Sequence, residues 1–372
     1  MLNFLQHKLL NKKWLNACLL LGIVLLIAVM SCTPMFKNGA LDMMLSTKFG
    51  DKIEETNNYS CVLGREGSCD TGKYPDMASI MNRTEKYHKT WFSYVDTKVL
   101  TEQVKYYIDG GFATSTSGKK DSYKLAYMPG LEDHIKIVHG KGLDESEVVD
   151  GAYPCIITEE IADDNNLTVG ETITYDKIKD SSDNPLKFYI AGIFAEKDYG
   201  DYYWYIRKSE FTKQGLVSLD AFDEIISKYN IPTVYSTDYN MLDYSDITHR
   251  NASNIRYYVK EFSKADDHIV ENFTDVIKEY ENDAKTIGII IWVLELPILV
   301  LLLAFIYMVS SQILEMEEGE IAMLKSRGTS TRQIIRIYMG QSAILSVIAL
   351  FIGIPMGYGL CKLAASSNSF LE

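Results

Sequence analysis

Residues Ile287–Val309 read IGIIIWVLELPILVLLLAFIYMV, with one acid (Glu295), one proline (Pro297) and no base. Crossing the hydrocarbon core of a bilayer as a helix takes about 20 mainly apolar residues, and this run meets that length. Ile337–Cys361 meets it too and has no charged residue at all. A shorter run, Trp14–Met30, is interrupted only by Asn16. The 47% hydrophobic content of the 372-residue chain therefore averages two kinds of sequence, three apolar runs and a polar, acidic remainder. Three membrane spans follow, over 14–31, 287–311 and 337–361.

Lys and Arg in short flanking segments set orientation. Lys8, Lys12 and Lys13 precede the first run with no acid among them, and Lys325, Arg327, Arg332 and Arg336 lie between the second and third. Residues 1–13 and 312–336 are accordingly expected in the cytoplasm, with 32–286 and 362–372 outside. The segment 32–286 holds 29 bases against 44 acids, a net charge of −15. A surface so acidic repels nucleic acid, which removes DNA and RNA as partners. Val29-Met30-Ser31-Cys32 faintly resembles a lipoprotein cleavage box. Met before Ser fits poorly, however, and a lipoprotein has no need of two later spans, so the first run reads as a retained anchor.

Leu2, Leu5, Leu9 and Leu10 share one face of an interfacial helix over 1–13. Leu41, Met44, Leu45 and Phe49 recur at helical spacing, so a helix continues outward after the first span through about residue 56. Residues 57–80, rich in Asn, Gly and Ser, read as loop. Cys61 and Cys69 fall within it, on the oxidising side, as either a local disulfide or two free thiols. Tyr87–Val95 and Val104–Ile108 fit a strand or a short helix equally well. Beyond them, Cys155–Ile157 reads as a strand, Thr158 as the cap of a helix opening on Glu159 and Glu160, and Leu167–Tyr175 and Phe188–Phe194 as strands about a turn at 180–184. Tyr202–Ile206 reads as one more strand. Its aromatic run (Tyr199, Tyr202, Tyr203, Trp204, Tyr205) is either packed rings or a ligand surface. From Ile255 to Tyr280 an apolar stripe meets no Pro or Gly, which predicts a single helix over 255–285 feeding the second span. Paired with 38–56 it would form a stalk. The fold expected is an α-helical membrane protein with a large extracytoplasmic mixed α/β domain on a helical stalk.

The segment between the second and third spans is the most specific in the chain. Glu320-Ile-Ala-Met-Leu-Lys325-Ser-Arg327 continues a helix, Gly328 breaks it, and Ser330 starts another with Gln333 three residues on. Ser and Gln at that spacing make a capping box. Within the second span, Glu295 is open to two readings. It is an intramembrane acid with a functional role, or an interface acid at a Pro297 kink bonded to a neighbouring helix.

The run through Glu320, Ile321, Ala322, Leu324, Lys325, Gly328, Ser330, Gln333 and Ile334 resembles the signature of FtsX-like permeases. Ile156–Tyr175 with Phe188–Phe194, including Leu167-Thr-Val-Gly-Glu-Thr-Ile173, is similar to a MacB-like periplasmic core. The resemblance spans 1–60, 150–210 and 260–372, and is poor over 60–150. It implies a multi-pass protein of the bacterial cytoplasmic membrane that couples a separate cytosolic ABC ATPase to its outer domain. Glu320, Lys325, Arg327, Gly328, Ser330 and Gln333 would form the coupling corner. It also implies a second permease copy or homologous half, contact with membrane lipids, and ATP bound in the partner with no cofactor in this chain. The family's basic unit has four spans, so three spans read as a truncated product or a fragment.

Catalysis finds no support in the residues. Gly111 and Gly118-Lys119-Lys120 enclose six residues where a phosphate loop needs four, and Asp121 follows instead of Ser or Thr. The histidines show no metal-ligand spacing, and no nucleophile-elbow or His-Glu-x-x-His motif occurs. A non-enzymatic subunit without a metal is expected. The topology is checked by labelling intact cells with an impermeant thiol reagent: Ser209→Cys should be labelled and Ser326→Cys spared, and the reverse pattern would overturn the orientation.

Overall fold

The computed structural model describes residues 13–92, 95, 97–198, 201–205 and 213–366. The helix expected over 1–13 lies, but for Lys13, outside the described residues, as do Tyr199 and the end of the expected tail. In chain order the elements are α1 (Lys13–Thr56), β1 (Val62–Asp70), α2 (Met77–Phe92), β2 (Val99–Ser115), β3 (Lys120–Tyr127), β4 (Ile135–Gly140), β5 (Ala152–Thr158), α3 (Glu159–Asn165), β6 (Thr172–Lys179) and β7 (Pro185–Glu196). There follow β8 (Gln214–Leu216), α4 (Leu219–Lys228), β9 (Thr233–Leu242), α5 (Ala252–Ala265), β10 (Ile269–Glu271), α6 (Thr274–Met316), α7 (Glu318–Ser326) and α8 (Thr331–Ser366). They fall into two compact units, Met1–Met44 with Tyr280–Glu372, and Leu45–Glu279.

In the first unit, α1, α6 and α8 are each long and apolar enough to cross a membrane. Pro34, Pro297 and Pro355 sit inside them without ending them, as neighbouring helices permit in apolar surroundings. Leu19 from α1, Val309 and Ile313 from α6 and Leu345 from α8 form the shared apolar cluster. Between α1 and α8 the buried amides of Asn16 and Gln341 pair, with Gln341 Nε2 donating to Asn16 Oδ1 at 3.1 Å. Such interhelical bonds are worth roughly 1 kcal/mol. Close approach of the two helices depends on Gly353 and Gly357, one turn apart on α8. A Cβ on Gly353 would stand 2.8 Å from the Ile27 side chain, and one on Gly357 would stand 2.7 Å from the Ala28 carbonyl oxygen.

The second unit is built on a ten-stranded sheet of order β10-β1-β9-β2-β3-β8-β5-β7-β4, with β6 pairing both β2 and β7. That double pairing links β2 back to β7. It is possible because β2 shifts register between Asp109 and Phe112, at Gly110 and Gly111. Gly111 takes a left-handed φ of 67°. Gly110 lies under Tyr175, whose ring a Cβ there would meet at 2.2 Å. The Tyr175 hydroxyl donates to the Tyr123 carbonyl at 2.9 Å, so the ring is fixed at both ends. The core gathers Ile108, Leu125, Cys155, Ile157, Phe188 and Phe222. As read from the sequence, Thr158 caps α3, its Oγ1 accepting from the Ile161 amide at 3.2 Å, with Glu159 and Glu160 in the first turn.

Four expectations are corrected. Residues 57–80 are not loop: β1 pairs with β9 from Val62↔Met241 to Asp70↔Thr233, and α2 begins at Met77. The glycines of β1 serve packing instead of turning, since a Cβ on Gly64 would meet the Tyr239 ring at 2.4 Å. No Cys61–Cys69 disulfide forms. Both thiols are free and buried, and the intervening extended strand, at about 3.3 Å per residue, holds them roughly 26 Å apart, far beyond disulfide reach. Tyr202–Tyr205 is a 3-10 turn and not a strand. Tyr203 and Trp204 are buried in it, Tyr203 stacking on His134 at 3.9 Å between ring centroids.

The fourth correction concerns 255–285, which is two helices. α5 ends at Ala265, Ile269–Glu271 forms β10 on the edge of β1, and α6 starts at Thr274. Asp266 makes the break: its Oδ2 accepts from Arg65 Nε at 2.8 Å and its Oδ1 from the His268 amide at 3.1 Å. Burial acts to raise the Asp266 pKa, but these bonds outweigh it and hold the carboxyl below its ordinary range. Glu271 then caps α6, its Oε2 accepting from the amides of Phe273 and Thr274 at 3.0 and 2.9 Å. The helix that includes the second apolar run thus begins at Thr274.

The glycine contact predicts that Gly357→Leu destabilises the first unit by about 1–3 kcal/mol through overpacking. Gly359→Leu is the control, since a Cβ there meets nothing within 4 Å. Thermal unfolding in detergent should show a lowered Tm for the first variant and an unchanged one for the second.

Candidate functional site

The corner between α6 and α8 is assembled by local hydrogen bonding. α6 stops at Met316, and the Glu317 amide donates to the carbonyls of both Ile313 and Leu314 at 3.1 Å. The helix expected to run unbroken to Gly328 is therefore divided at Glu317, where α7 begins. α7 closes on Gly328, whose φ of 82° is left-handed. The Gly328 amide donates to the Lys325 carbonyl at 3.0 Å and the Thr329 amide to Leu324 at 3.1 Å, the paired bonds of a Schellman ending. Immediately afterwards Ser330 opens α8 with both arms of the capping box. The Ser330 amide donates to Gln333 Oε1 at 3.0 Å, and the Gln333 amide donates to Ser330 Oγ at 3.4 Å.

Side chains at this corner divide into anchored and presented ones. Glu317 is buried and accepts from the Tyr338 hydroxyl, tying the start of α7 to the first turns of α8. Ile334 is buried as well. Glu320, Lys325, Arg327, Ser330 and Gln333 are exposed. Lys325, Arg327, Arg332 and Arg336 have no ion-pair partner among the described residues, and beside them Met323 and Ile335 are more than half exposed. A rigid turn thus carries a basic, partly apolar surface. Such a surface can bind a partner; it holds no nucleophile with an adjacent base.

The structure brings Glu320, Lys325, Arg327, Gly328, Ser330 and Gln333 together in this one turn. Glu295 and Pro297 lie elsewhere, within α6. Glu295 is half-buried and has no hydrogen-bond or ion-pair partner among the described residues. Glu317 and Tyr338 were not legible. Glu317 is one of several acids in Glu315-Met-Glu-Glu-Gly-Glu320, and nothing local marks it as the buried one.

Residues 295–372 match the family model of the FtsX-like permease C-terminal domain. The C-terminal segment is FtsX-like. The whole corner, from Glu317 to Gln333, falls inside the FtsX-like segment. No curated protein sequence matches the chain. Among solved structures, a domain of a "putative Permease protein" from Porphyromonas gingivalis aligns at 12% identity. The alignment covers 57% of this chain and 92% of that one, with a TM-score of 0.27, too low to bear on the fold.

The double-bonded cap predicts that Ser330→Ala with Gln333→Ala loses about 1 kcal/mol of local helix stability. Amide hydrogen exchange at Thr331–Ile334 should quicken by about fivefold, while the Gly328 and Thr329 amides, held by the end of α7, keep their protection. Equal exchange in both proteins would mean that the cap does not hold the turn.

Proposed function

We propose that this chain is the non-catalytic membrane subunit of an ABC-type complex, and that the corner from Glu317 to Gln333 docks a separate cytosolic ATPase. The observation that carries this reading is a coincidence within residues 295–372. The FtsX-like match and a turn closed at both helix ends, joining two apolar helices, fall on the same residues. A turn whose backbone is already satisfied needs no rearrangement to be gripped, so little ordering is required on binding. Its unpaired bases and exposed Met323 and Ile335 suit a folded protein partner.

The Lys and Arg residues of 1–13 and 312–336 support a cytosolic corner, with the acidic Leu45–Glu279 unit outside the cytoplasmic membrane. ATP binding and hydrolysis then belong to the partner, and a second copy of the chain or a homologous half completes the complex within the lipid. α6 runs unbroken from Thr274 to Met316. A helix without a hinge passes on an axial displacement that a flexible linker would absorb. In this reading the output is motion of the outer domain, mechanotransmission, and no substrate path through the chain is needed. The resemblance of Ile156–Tyr175 with Phe188–Phe194 to a MacB-like core agrees with this reading.

The test is affinity purification of the full chain from its native membrane, followed by identification of any retained ABC ATPase. Gly328→Pro removes the left-handed residue, because proline is fixed near φ −65°. Combined with Ser330→Ala and Gln333→Ala, it should lower retained ATPase several-fold at equal membrane insertion. Absence of an ATPase from the wild-type preparation would favour a membrane-anchored receptor. Undiminished retention by the triple variant would remove the corner from the docking surface.

A further inference from the structure

The second unit brings together four polar side chains that lie far apart in the sequence. Asp238 and Asn240 are two residues apart on β9 and so share a face of the sheet. On the adjoining β2, Glu102 stands opposite Asn240, and Val104 opposite Asp238, which places Glu102 on that same face. His88 reaches the group from α2. Its Nδ1 lies 3.1 Å from Asp238 Oδ2 and 3.8 Å from Glu102 Oε1. One ligand atom each from His88, Glu102 and Asp238 can be chosen so that all lie within 4.8 Å of one another.

Asn240 supplies a separate indication. It is wholly buried, and its Oδ1 has no hydrogen-bond partner. Its amide faces the cluster, because Nδ2 lies 2.8 Å from Asp238 Oδ1 and 3.5 Å from His88 Nδ1. The oxygen is presented to the cluster only by a half-turn about Cβ–Cγ, in which the Nδ2 bond to Asp238 is given up for a bond from the oxygen to a bound cation. On the β1 side of the group, His88 and Asp238 also line a cavity of about 20 Å³ with Leu63, Gly64, Tyr87 and Phe262, room for one water; Glu102 and Asn240 do not line it. Two carboxylates converge here. Arg65, which lines the same cavity, is taken by Asp266 at 2.8 Å and lies over the Tyr87 ring at 4.4 Å.

We propose that His88, Glu102, Asp238 and the Asn240 carbonyl form a binding site for one divalent transition-metal ion, for which Zn²⁺ is the best match. One imidazole and three oxygens suit tetrahedral zinc, whose bonds of about 2.0–2.2 Å put neighbouring ligand atoms roughly 3.3 Å apart. The observed 3.1 and 3.8 Å bracket that separation, so a small adjustment completes the site. Its ligands come from α2, β2 and β9, and the ion would fasten the helix to the centre of the sheet. Glu102 is half exposed and gives the ion a way in. The site serves the stability of this unit and is independent of the proposed ATPase docking.

The test uses the full chain in detergent, purified without a histidine tag, treated with chelator, incubated with Zn²⁺ and dialysed. Metal is then measured by mass spectrometry, and Tm with and without Zn²⁺. The wild type should retain one Zn²⁺ per chain and gain Tm on adding it. Glu102→Gln, at a half-exposed position that leaves folding intact, should weaken binding beyond the ~10–100-fold lost with an outer-shell partner and abolish the Tm gain. His88→Gln should do the same. The neighbouring group Asp266, Asp267 and His268 is the rival, so His268→Gln should leave retention unchanged. Retention of no Zn²⁺ by the wild type would reduce the cluster to a plain histidine–carboxylate ion pair. Retention equal in wild type and Glu102→Gln, or lost in His268→Gln, would overturn the assignment.

Discussion

A helix that enters a bilayer must satisfy every backbone N–H and C=O within the protein, because hydrocarbon offers no substitute for water. The three apolar helices of the first unit have the form that this constraint demands. It explains why α1, α6 and α8 tolerate prolines without unwinding, and why the polar side chains Asn16 and Gln341 sit buried against each other. Helix ends pose a separate demand, since their first N–H and last C=O groups lack partners within the helix. Between α6 and α8 the chain reverses within a short segment, and the exposed ends of three helices would leave many groups unpaired. The Schellman bonds at Gly328 and the reciprocal Ser330–Gln333 bonds meet that demand almost residue by residue. The corner is rigid because its backbone is satisfied internally, and its charged side chains are left exposed.

In the second unit the governing competition is between local helix formation and long-range strand pairing. The apolar stripe from Ile255 to Tyr280 favours one helix on periodicity alone. Against it stand the Arg65–Asp266 ion pair, the pairing of Ile269–Glu271 with β1, and the Glu271 cap on α6. The first two require residues from elsewhere in the chain, the third is local, and together they break the helix. Cys61–Asp70 shows the same effect in reverse. Its glycines and polar residues suggest loop, yet β9 and β10 flank the segment and make it an interior strand. The position of Gly64 under Tyr239 accounts for a glycine that composition would assign to a turn.

How legible the structure was in the sequence follows this division. The three apolar helices, the Thr158 cap, the turn at 180–184 and the capping box are encoded within a few residues each, and local reading finds them. The Cys61–Cys69 separation, the 3-10 turn at Tyr202 and the break at Asp266 depend on partners over a hundred residues away for two of the three, and local reading misses them. The corner was found because its chemistry is short-range. Even there, Glu317 and Tyr338 were missed, being twenty-one residues apart and joined only once α7 folds back beside α8.

Strand β9 carries the point furthest. Its sequence Ser236-Thr-Asp-Tyr-Asn240 has the polarity of a surface turn, but β1 and β2 flank it and all five residues are buried. A buried carboxylate and a buried amide impose a cost that only specific partners offset. The packing of α2 brings His88 to one oxygen of Asp238, and the Asn240 amide donates to the other, while the strand pairing sets Glu102 beside them. A sequence reader sees acids and a histidine with no common spacing. Once the register is fixed, their convergence is a geometric consequence of the two-residue repeat of neighbouring strands, and the polarity of β9 becomes evidence of what the sheet encloses instead of evidence against a sheet.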